Sequence, residues 1–204
     1  FSPWDNTLHG DTFALAGRDR LMIWTELPLE GNLPAYDFEG GIGTVRFDEL
    51  TGVAMDDTYF YVADKRADVV HVWAGIPDGT HDPVATLSVS RPNRLSSDGT
   101  WLAVNSTADG GTQVFRVDQI VSSGSSSTVG GSSMFNLPEG TSVDNGHVFV
   151  ADTGNSQVLV WRDVADALAG LPADVILGAS GASDTQPEIT RNQMFWPAAA
   201  SFDG

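Results

Sequence analysis

The chain contains an internal repeat, and this repeat restricts its fold more than any other feature of the sequence. Each unit begins at a proline, or at a leucine in the second unit, and has a turn residue six positions later. The pairs are Pro3 and His9, Leu50 and Asp56, Pro92 and Asp98, Pro138 and Asp144, and Pro197 and Asp203. The unit starts therefore lie 47, 42, 46 and 59 residues apart. A period of this length is typical of folds that place one small structural unit beside its copies.

The rest of each unit predicts four short β-strands, which we name A to D in chain order. Strands B and C are nearly continuous apolar runs, such as 60–63 and 70–73 in the second unit. Asp-Gly, Asp-Asn-Gly or Asp-Asp between strands A and B supplies the backbone angles of tight hairpins. Continuous apolar strands indicate a sheet that is covered on both faces. We therefore predict an all-β protein with a β-propeller fold, and a β-sandwich or a solenoid is the alternative.

The repeat divides one propeller domain into units at about 1–47, 48–89, 90–135 and 136–194, with the start of the next unit at 195–204. We interpret these units as four complete four-stranded blades and strand A of a fifth. A fifth strand A does not fit a closed ring of four blades. We therefore expect an incomplete ring, which a missing segment or a second chain completes. A compact four-bladed ring with a trailing C-terminus is the alternative.

The fourth unit resembles the NHL repeat of β-propeller proteins. The resemblance rests on residues 137–144, Leu-Pro-Glu-Gly-Thr-Ser-Val-Asp, and on residues 148–161, which run from Val-Phe-Val-Ala-Asp to Val-Leu-Val-Trp. The second unit fits less closely, and the first and third units share only the spacing. The resemblance implies a ring of roughly six blades. It also implies a basic residue in the B–C turn, where this chain has Gln157. It implies no particular function, because one fold serves many functions.

The composition of the chain excludes several classes of function. The 27 acidic and 10 basic residues give a net charge of −17, so nucleic acid and anionic membranes would be repelled. The absence of cysteine excludes disulfides, thiolate zinc sites and cysteine nucleophiles. No apolar run approaches the roughly 20 residues that span a bilayer, so we expect no membrane insertion. Asp exceeds Glu by 21 to 6, and Lys65 is the one lysine. We expect such an acidic protein to be secreted or displayed on the cell surface.

A binding site is expected at the mouth of the ring, where the B–C turns and the connections between units converge. A protein or small-molecule ligand would be held there by a few polar groups in a concave surface. The candidate residues are Trp4, Asp64, Arg91, Asn93, Arg94, Asn105, Glu139, Asp152 and Trp196, and Thr51 and Ala198 share the expected position. Arg91 and Arg94 are the basic pair of this set, and they suit an acidic group on a ligand.

The sequence contains no recognisable catalytic motif. It has no Gly-x-Ser-x-Gly nucleophile motif, and its four histidines, at positions 9, 71, 81 and 147, share no metal-ligand spacing. Glu139, Asn105 and Asp152 resemble the oxygen ligands of metal-dependent lactonase-type propellers, and such ligands suit Ca²⁺. Hydrogen bonds from Asp152 and Asn155 to the turn backbone are the alternative use of these side chains. We expect no cofactor and no tightly bound metal, and Ca²⁺ is the ion that such a site would take.

The residues thus favour a non-enzymatic binding or scaffold propeller without catalytic residues. A metal-dependent lactonase or related hydrolase is the alternative, and a zinc-dependent lyase is disfavoured because the histidines do not cluster. The aromatic residues that end strand C are expected to pack between blades rather than to bind sugars. They are Trp24, Trp73, Phe115 and Trp161.

Three segments outside the apolar strands carry separate expectations. The Ser- and Gly-rich stretch 122–133 predicts a short, frayed strand D in the third unit. Residues 179–193 form a long connection, which is either a candidate binding loop or a plain surface loop. Residues 164–171 predict a short helix with Asp163 as its N-cap.

Overall fold

Each repeat unit forms its own four-stranded antiparallel sheet in the computed structural model of the chain. The structure describes residues 2–29, 31–130, 134–178 and 194–201. The first sheet contains β1 (Pro3–His9), β2 (Thr12–Gly17), β3 (Arg20–Trp24) and β4 (Tyr36–Glu39), and a small hairpin of β5 (Gly41–Ile42) and β6 (Val45–Arg46) follows it. The second sheet contains β7 (Leu50–Met55), β8 (Tyr59–Asp64), β9 (Val69–Ala74) and β10 (Ala85–Ser88).

The third sheet contains β11 (Pro92–Ser97), β12 (Trp101–Ser106), β13 (Gly111–Arg116) and β14 (Ser126–Gly130). The fourth contains β15 (Pro138–Asp144), β16 (His147–Asp152), β17 (Gln157–Trp161) and β18 (Val175–Gly178). Within the described ranges, two 3-10 turns lie at Val117–Gln119 and Thr153–Asn155, and one helix, α1, spans Val164–Leu168. The predicted all-β fold with four propeller blades is confirmed. None of the helices in the described part of the chain is long and apolar enough to cross a membrane.

The A strands of the four sheets lie side by side, in the order β1, β7, β11 and β15. Each of them has a register shift directly after the residue that starts the repeat. At two of these shifts the backbone of the A strand comes very close to the backbone of the next unit. A Cβ atom on Gly52 would overlap the carbonyl oxygen of Asn93, and a Cβ atom on Gly140 would overlap that of Ala198. Only glycine permits this close approach at both positions.

The apolar core consists of layers between neighbouring sheets rather than one central cluster. Ile23 of the first sheet packs in one cluster with Trp73 of the second, and Tyr61 of the second sheet packs in another with Phe115 of the third. A third cluster joins the third and fourth sheets and contains Trp161. Each B or C strand of the second and third sheets therefore contributes to two layers, which is why these strands read as continuous apolar runs. Trp73 and Trp161 are only 2% and 1% exposed, so their predicted packing between sheets is confirmed.

Strand D of the third sheet is longer than its sequence predicts. The Ser-rich residues Ser126–Gly130 form β14, which pairs along the whole of Phe115–Gly111. The expectation of a frayed strand was wrong because the backbone of β13 supplies the hydrogen-bonding partners, while the serine side chains need no core. Val129 is the one apolar residue of β14, and it is fully buried. Residues 131–133 lie outside the described part of the chain.

The other two segments have different outcomes. The predicted helix is present as α1, and the Asp163 side chain accepts a hydrogen bond from the backbone N–H of Ala165, as expected of an N-cap. The candidate binding loop at 179–193 lies outside the described residues. After it, residues 194–201 form no strand, yet they run against the fourth sheet, where Met194 and Ala200 pack on its apolar face.

Candidate functional site

The four sheets share two ends that differ in their connections. Because consecutive strands are antiparallel, the B–C turns and the D–A connections meet at one end, which we call the mouth face. The A–B turns and C–D loops meet at the opposite end, which we call the acidic face. There, Asp56, Asp57, Asp98 and Asp144 line one depression with His9. The residues that the sequence predicts as a binding site lie on the mouth face. Substitutions on the acidic face therefore serve as controls for substitutions on the mouth face.

The carboxylate of Asp64 supports the mouth face from below rather than forming its surface. Asp64 ends β8 and is 0% exposed. Its Oδ2 accepts a hydrogen bond from the backbone N–H of Asp48 at 2.8 Å, and its Oδ1 accepts one from Glu49 at 2.9 Å. These bonds fix the connection that leads into β7. Asp64 is therefore a positioning residue for that connection, with no free oxygen facing the solvent.

Asp152 occupies the same place in the fourth sheet and has the same role. It ends β16, is 0% exposed, and accepts a hydrogen bond from the Asn136 N–H at 2.6 Å. Its second oxygen accepts hydrogen bonds from Asn155 Nδ2 at 2.7 Å and Gln157 Nε2 at 2.9 Å. Gln157 stands where the NHL resemblance implies a basic residue, so a neutral amide makes the bridge in this chain. The buried Asp152 carboxylate therefore holds the connection that leads into β15 in place, through its hydrogen bond with the Asn136 N–H.

Polar side chains from one blade also hold the repeat proline of the next. In each case the proline carbonyl oxygen accepts the hydrogen bond. The three bonds are Thr51 Oγ1 to Pro92 at 2.9 Å, Asn105 Nδ2 to Pro138 at 3.0 Å, and Thr153 Oγ1 to Pro197 at 2.7 Å. Asn105 is 0% exposed, so this candidate site residue is a link between blades. Sequence reasoning missed Thr153, although its position directly after strand B was a usable signal.

Arg94 lies between the blades instead of at the surface of the mouth. Its guanidinium pairs with Asp5 at 2.9 Å, and the Asp5 side chain is only 10% exposed. Asp5 also accepts a hydrogen bond from the Val53 N–H at 3.1 Å. Burial raises the pKa of the Asp5 carboxyl above its ordinary value, and the Val53 N–H and the charge of Arg94 offset part of this rise. Asp5 was not among the expected site residues.

The remaining candidates present side chains to solvent. Arg91, Glu139 and Trp196 are exposed, with Trp196 at 62% and Trp4 at 43%. Asn93 is half-buried, and its Nδ2 donates a hydrogen bond to the Glu139 carbonyl oxygen at 3.3 Å. The structure thus divides the predicted set into buried supports, at 64, 105 and 152, the half-buried ion-pair residue 94, and surface residues.

Two adjoining depressions lie on the mouth face, and both are lined by Lys65 and Arg91. The first has a volume of about 520 Å³, and the second, at about 610 Å³, extends to Phe135, Leu137 and Glu139. Lys65 and Leu137 were not among the expected site residues. Both could have been found from the repeat, since Lys65 follows the B-strand aspartate and Leu137 precedes the repeat proline, as Arg91 does.

Among the described residues, no three His, Asp or Glu side chains converge on a position that could hold a metal ion. The chain has no cysteine to add to such a set. The arrangement that the mouth face does present is an open, partly cationic surface with exposed apolar groups beside it. A surface of this kind suits contact with a ligand through charge and apolar groups.

Comparisons with known proteins agree with this architecture. Residues 135–161 match the NHL repeat family, which confirms the resemblance of the fourth unit. No curated protein sequence matches the chain at a significant level.

Several solved β-propeller structures have a similar fold. The WD40 repeats of RRP9 are 18% identical with a TM-score of 0.64, and the match covers 97% of this chain and 55% of that chain. A chain of the nidogen/laminin complex is 15% identical with a TM-score of 0.63, over 98% and 70% of the two chains. The computationally designed Ika8 protein is 11% identical with a TM-score of 0.61, over 98% and 52%. This chain therefore spans about half the length of Ika8 and of RRP9, and the likeness concerns the fold alone.

Proposed function

We propose that this chain is a protein-binding scaffold and that the partner docks on the mouth face. The observation that supports the proposal most strongly is the position of Lys65 and Arg91, which line both mouth depressions next to exposed Leu137. Buried hydrogen bonds fix the backbone beneath these groups, so a partner meets a preformed surface and little ordering is needed on binding. The NHL match and the β-propeller neighbours agree with a scaffold role.

We propose that further blades, from the same chain or from a second one, complete the ring. Among the described residues, the apolar clusters join the first sheet to the second, the second to the third and the third to the fourth, and none joins the fourth to the first. Trp4 and Leu8 of β1 are 43% and 55% exposed, and Ile176 of β18 is 55% exposed. Native mass spectrometry of the protein from its own cells tests this, because a natural mass equal to a single copy of this chain would contradict it.

We further propose that the protein acts outside the cytoplasm, on the cell surface or after secretion. Its net charge of −17, in which Asp outnumbers Glu by 21 to 6, supports this proposal, because a strongly charged surface keeps a protein soluble at high ionic strength. Cell fractionation followed by immunoblotting tests it. Recovery of the protein in the cytoplasmic fraction alone would contradict this localisation and would leave the scaffold role untouched.

Affinity purification from the native cells tests the scaffold role. The bait is the wild-type protein, a mouth-face variant with Arg91→Glu and Leu137→Asp, or an acidic-face variant with Asp57→Ala and Asp144→Ala. All four positions are on the surface, and circular dichroism verifies that each bait is folded. We expect partners of the wild type to be retained by the acidic-face variant and lost by the mouth-face variant. Partners lost only by the acidic-face variant would contradict the proposal.

A further inference from the structure

The residues directly before three successive repeat prolines share an uncommon backbone conformation. Arg91, Leu137 and Trp196 have φ angles of 47°, 51° and 52°. Only a few per cent of non-glycine residues lie in this left-handed region, and a following proline restricts the backbone further. Strained conformations of this kind persist where the surrounding structure enforces them, and they concentrate at functional positions.

Neighbouring turns of the mouth face hold this conformation in place. The Arg91 N–H donates to Asp68 Oδ1 at 2.7 Å, and the Arg91 carbonyl oxygen accepts from Thr107 Oγ1 at 3.0 Å. Leu137 follows Asn136, whose N–H donates to Asp152 at the end of β16 at 2.6 Å and whose carbonyl oxygen accepts from the Gly154 N–H at 2.7 Å. The backbone is thus anchored while the side chains of these residues extend away from the core.

Two of the three residues expose large apolar side chains. Leu137 is 69% exposed and Trp196 is 62% exposed. Phe195, next to Trp196, is a further 45% exposed. Leu137 lines the larger mouth depression together with Pro138, and the buried ring of Phe135 lies at the same depression. This part of the mouth face therefore offers apolar area to a partner.

The positive charges of Lys65 and Arg91, on the same mouth face, are not neutralised by any carboxylate of the described residues. Arg20, Arg66 and Arg116 form ion pairs with carboxylates, whereas the side chains of Lys65 and Arg91 make none with any described residue. Three carboxylates line the two depressions. Glu49 is paired with Arg66, Asp68 holds the Arg91 backbone, and exposed Glu139 forms no ion pair with a described residue. In a chain of net charge −17, two adjacent cations without partners point to an acidic group on the ligand.

We infer that Arg91, Leu137 and Trp196, together with Lys65, bind an extended segment of a partner protein that carries an acidic residue next to apolar ones. The carboxylate lies against Lys65 and Arg91, and the apolar side chains that follow it lie on Leu137 and Trp196. This inference rests on the proposed scaffold function and identifies the class of partner that the mouth face accepts. A phosphate polymer is a different partner, and the acidic balance of the chain disfavours it.

Selection from a phage-displayed library of random dodecapeptides on the immobilised chain tests this inference. We expect the enriched peptides to share an Asp or Glu beside apolar residues. The most enriched peptide, labelled with fluorescein, is then titrated with wild-type and variant protein. Arg91→Ala and Lys65→Ala should each weaken binding about tenfold, and Leu137→Ala about fivefold. Exposed Arg162 lies on the acidic face, so Arg162→Ala should leave the Kd within about twofold of the wild-type value.

Three results would overturn the inference. The first is enriched peptides without acidic residues, whose binding is insensitive to Arg91→Ala and Lys65→Ala but is lost in Leu137→Asp. This result would retain the scaffold function and reject the acidic partner. The second is no enrichment, or binding that only acidic-face substitutions such as Asp57→Ala remove, and it would reject both proposals. The third is binding of a fluorescein-labelled single-stranded RNA dodecamer that depends on Arg91 and outcompetes the peptide.

Discussion

The guanidinium of Arg94 donates a hydrogen bond to Asp5 at 2.9 Å, although 89 residues separate them and they belong to the third and first sheets. Each residue stands two positions after its repeat proline. The second sheet, which lies between theirs, contributes the Val53 N–H to the same carboxylate. This one contact therefore joins the inner strands of three blades.

Removal of the cation should destabilise the fold at neutral pH. Arg94→Met leaves the Asp5 carboxylate, which is 10% exposed, without its partner. We expect the free energy of unfolding at pH 7 to fall by about 1–3 kcal/mol, less than for a fully buried pair because the Arg94 side chain is 34% exposed. Urea denaturation measures this change. The double variant Asp5→Asn/Arg94→Met should recover most of the loss, and a double variant as unstable as the single one would contradict the account.

The same carboxyl predicts a pH dependence. Its pKa is raised in the folded state, so the folded protein holds the proton more tightly than the unfolded chain does. The stabilisation from this proton is present below about pH 4, the ordinary carboxyl value, and is lost as the pH rises through the folded-state pKa. Arg94→Met should raise the Asp5 pKa further and extend this loss to higher pH. An NMR titration of the Asp5 carboxyl carbon that shows a lower pKa in the variant would contradict this prediction.

The buried side chain of His71 should make the free energy of unfolding depend on pH in the opposite direction to Asp5, with a loss of stability in acid. Burial lowers its pKa below the ordinary value of 6.5, and neither ring nitrogen has a hydrogen-bond partner among the described residues. Because the unfolded chain takes up a proton first, stability should fall as the pH drops below about 6.5, until the folded-state pKa is reached. His71→Leu removes the titrating group and should keep the stability near wild type at pH 7.5. Equal losses of stability between pH 7.5 and 5.5 in both proteins would contradict this role of His71.

The sequence predicts the features of the fold that recur in every repeat unit. Turn residues at fixed offsets and apolar B and C strands predict the four sheets and the burial of Trp73 and Trp161. The contact between Asp5 and Arg94 is not recoverable in this way, since it depends on how three blades pack. The Ser-rich β14 was mispredicted because strand pairing with β13 outweighs its weak local preference.

The candidate site shows the same division. The ring predicts that residues at the ends of strands A and B approach the mouth face, but spacing does not distinguish a side chain that supports a loop from one that faces solvent. Asp64 and Asp152 point to backbone N–H groups of the adjacent connection. Arg91 and Trp196 are exposed and have positive φ angles, and the spacing of the repeat predicts neither property.

Trp161 should carry a large share of the packing between the third and fourth sheets. It is 1% exposed, meets Phe135 edge-on at 6.3 Å between ring centroids, and its Nε1 donates to the Leu171 carbonyl oxygen at 2.8 Å. We expect Trp161→Ala to cost about 3–5 kcal/mol. Exposed Trp196 is the matched control, and Trp196→Ala should change stability by no more than about 0.5 kcal/mol. Equal effects of the two substitutions in urea denaturation would refute the packing role.

Salt should stabilise the protein. A net charge of −17 places many like charges close together on the folded chain, and added ions screen their repulsion. We expect the Tm to rise by about 2–5 °C between low salt and about 1 M sodium chloride. Differential scanning calorimetry measures this rise, and a flat or falling Tm would show that repulsion is not a significant term.

We propose that the mouth face is a binding surface whose buried carboxylates position loops, rather than a catalytic metal site. Calcium sites need six or more oxygen ligands, several of them from carboxylates, whereas the Asp64 and Asp152 oxygens are bonded to backbone and amide N–H groups. The most direct test is the Tm with excess EDTA and with millimolar Ca²⁺. The account predicts the same Tm in both. A drop in EDTA that Ca²⁺ reverses and that Glu139→Gln abolishes would contradict it and favour a metal-dependent hydrolase.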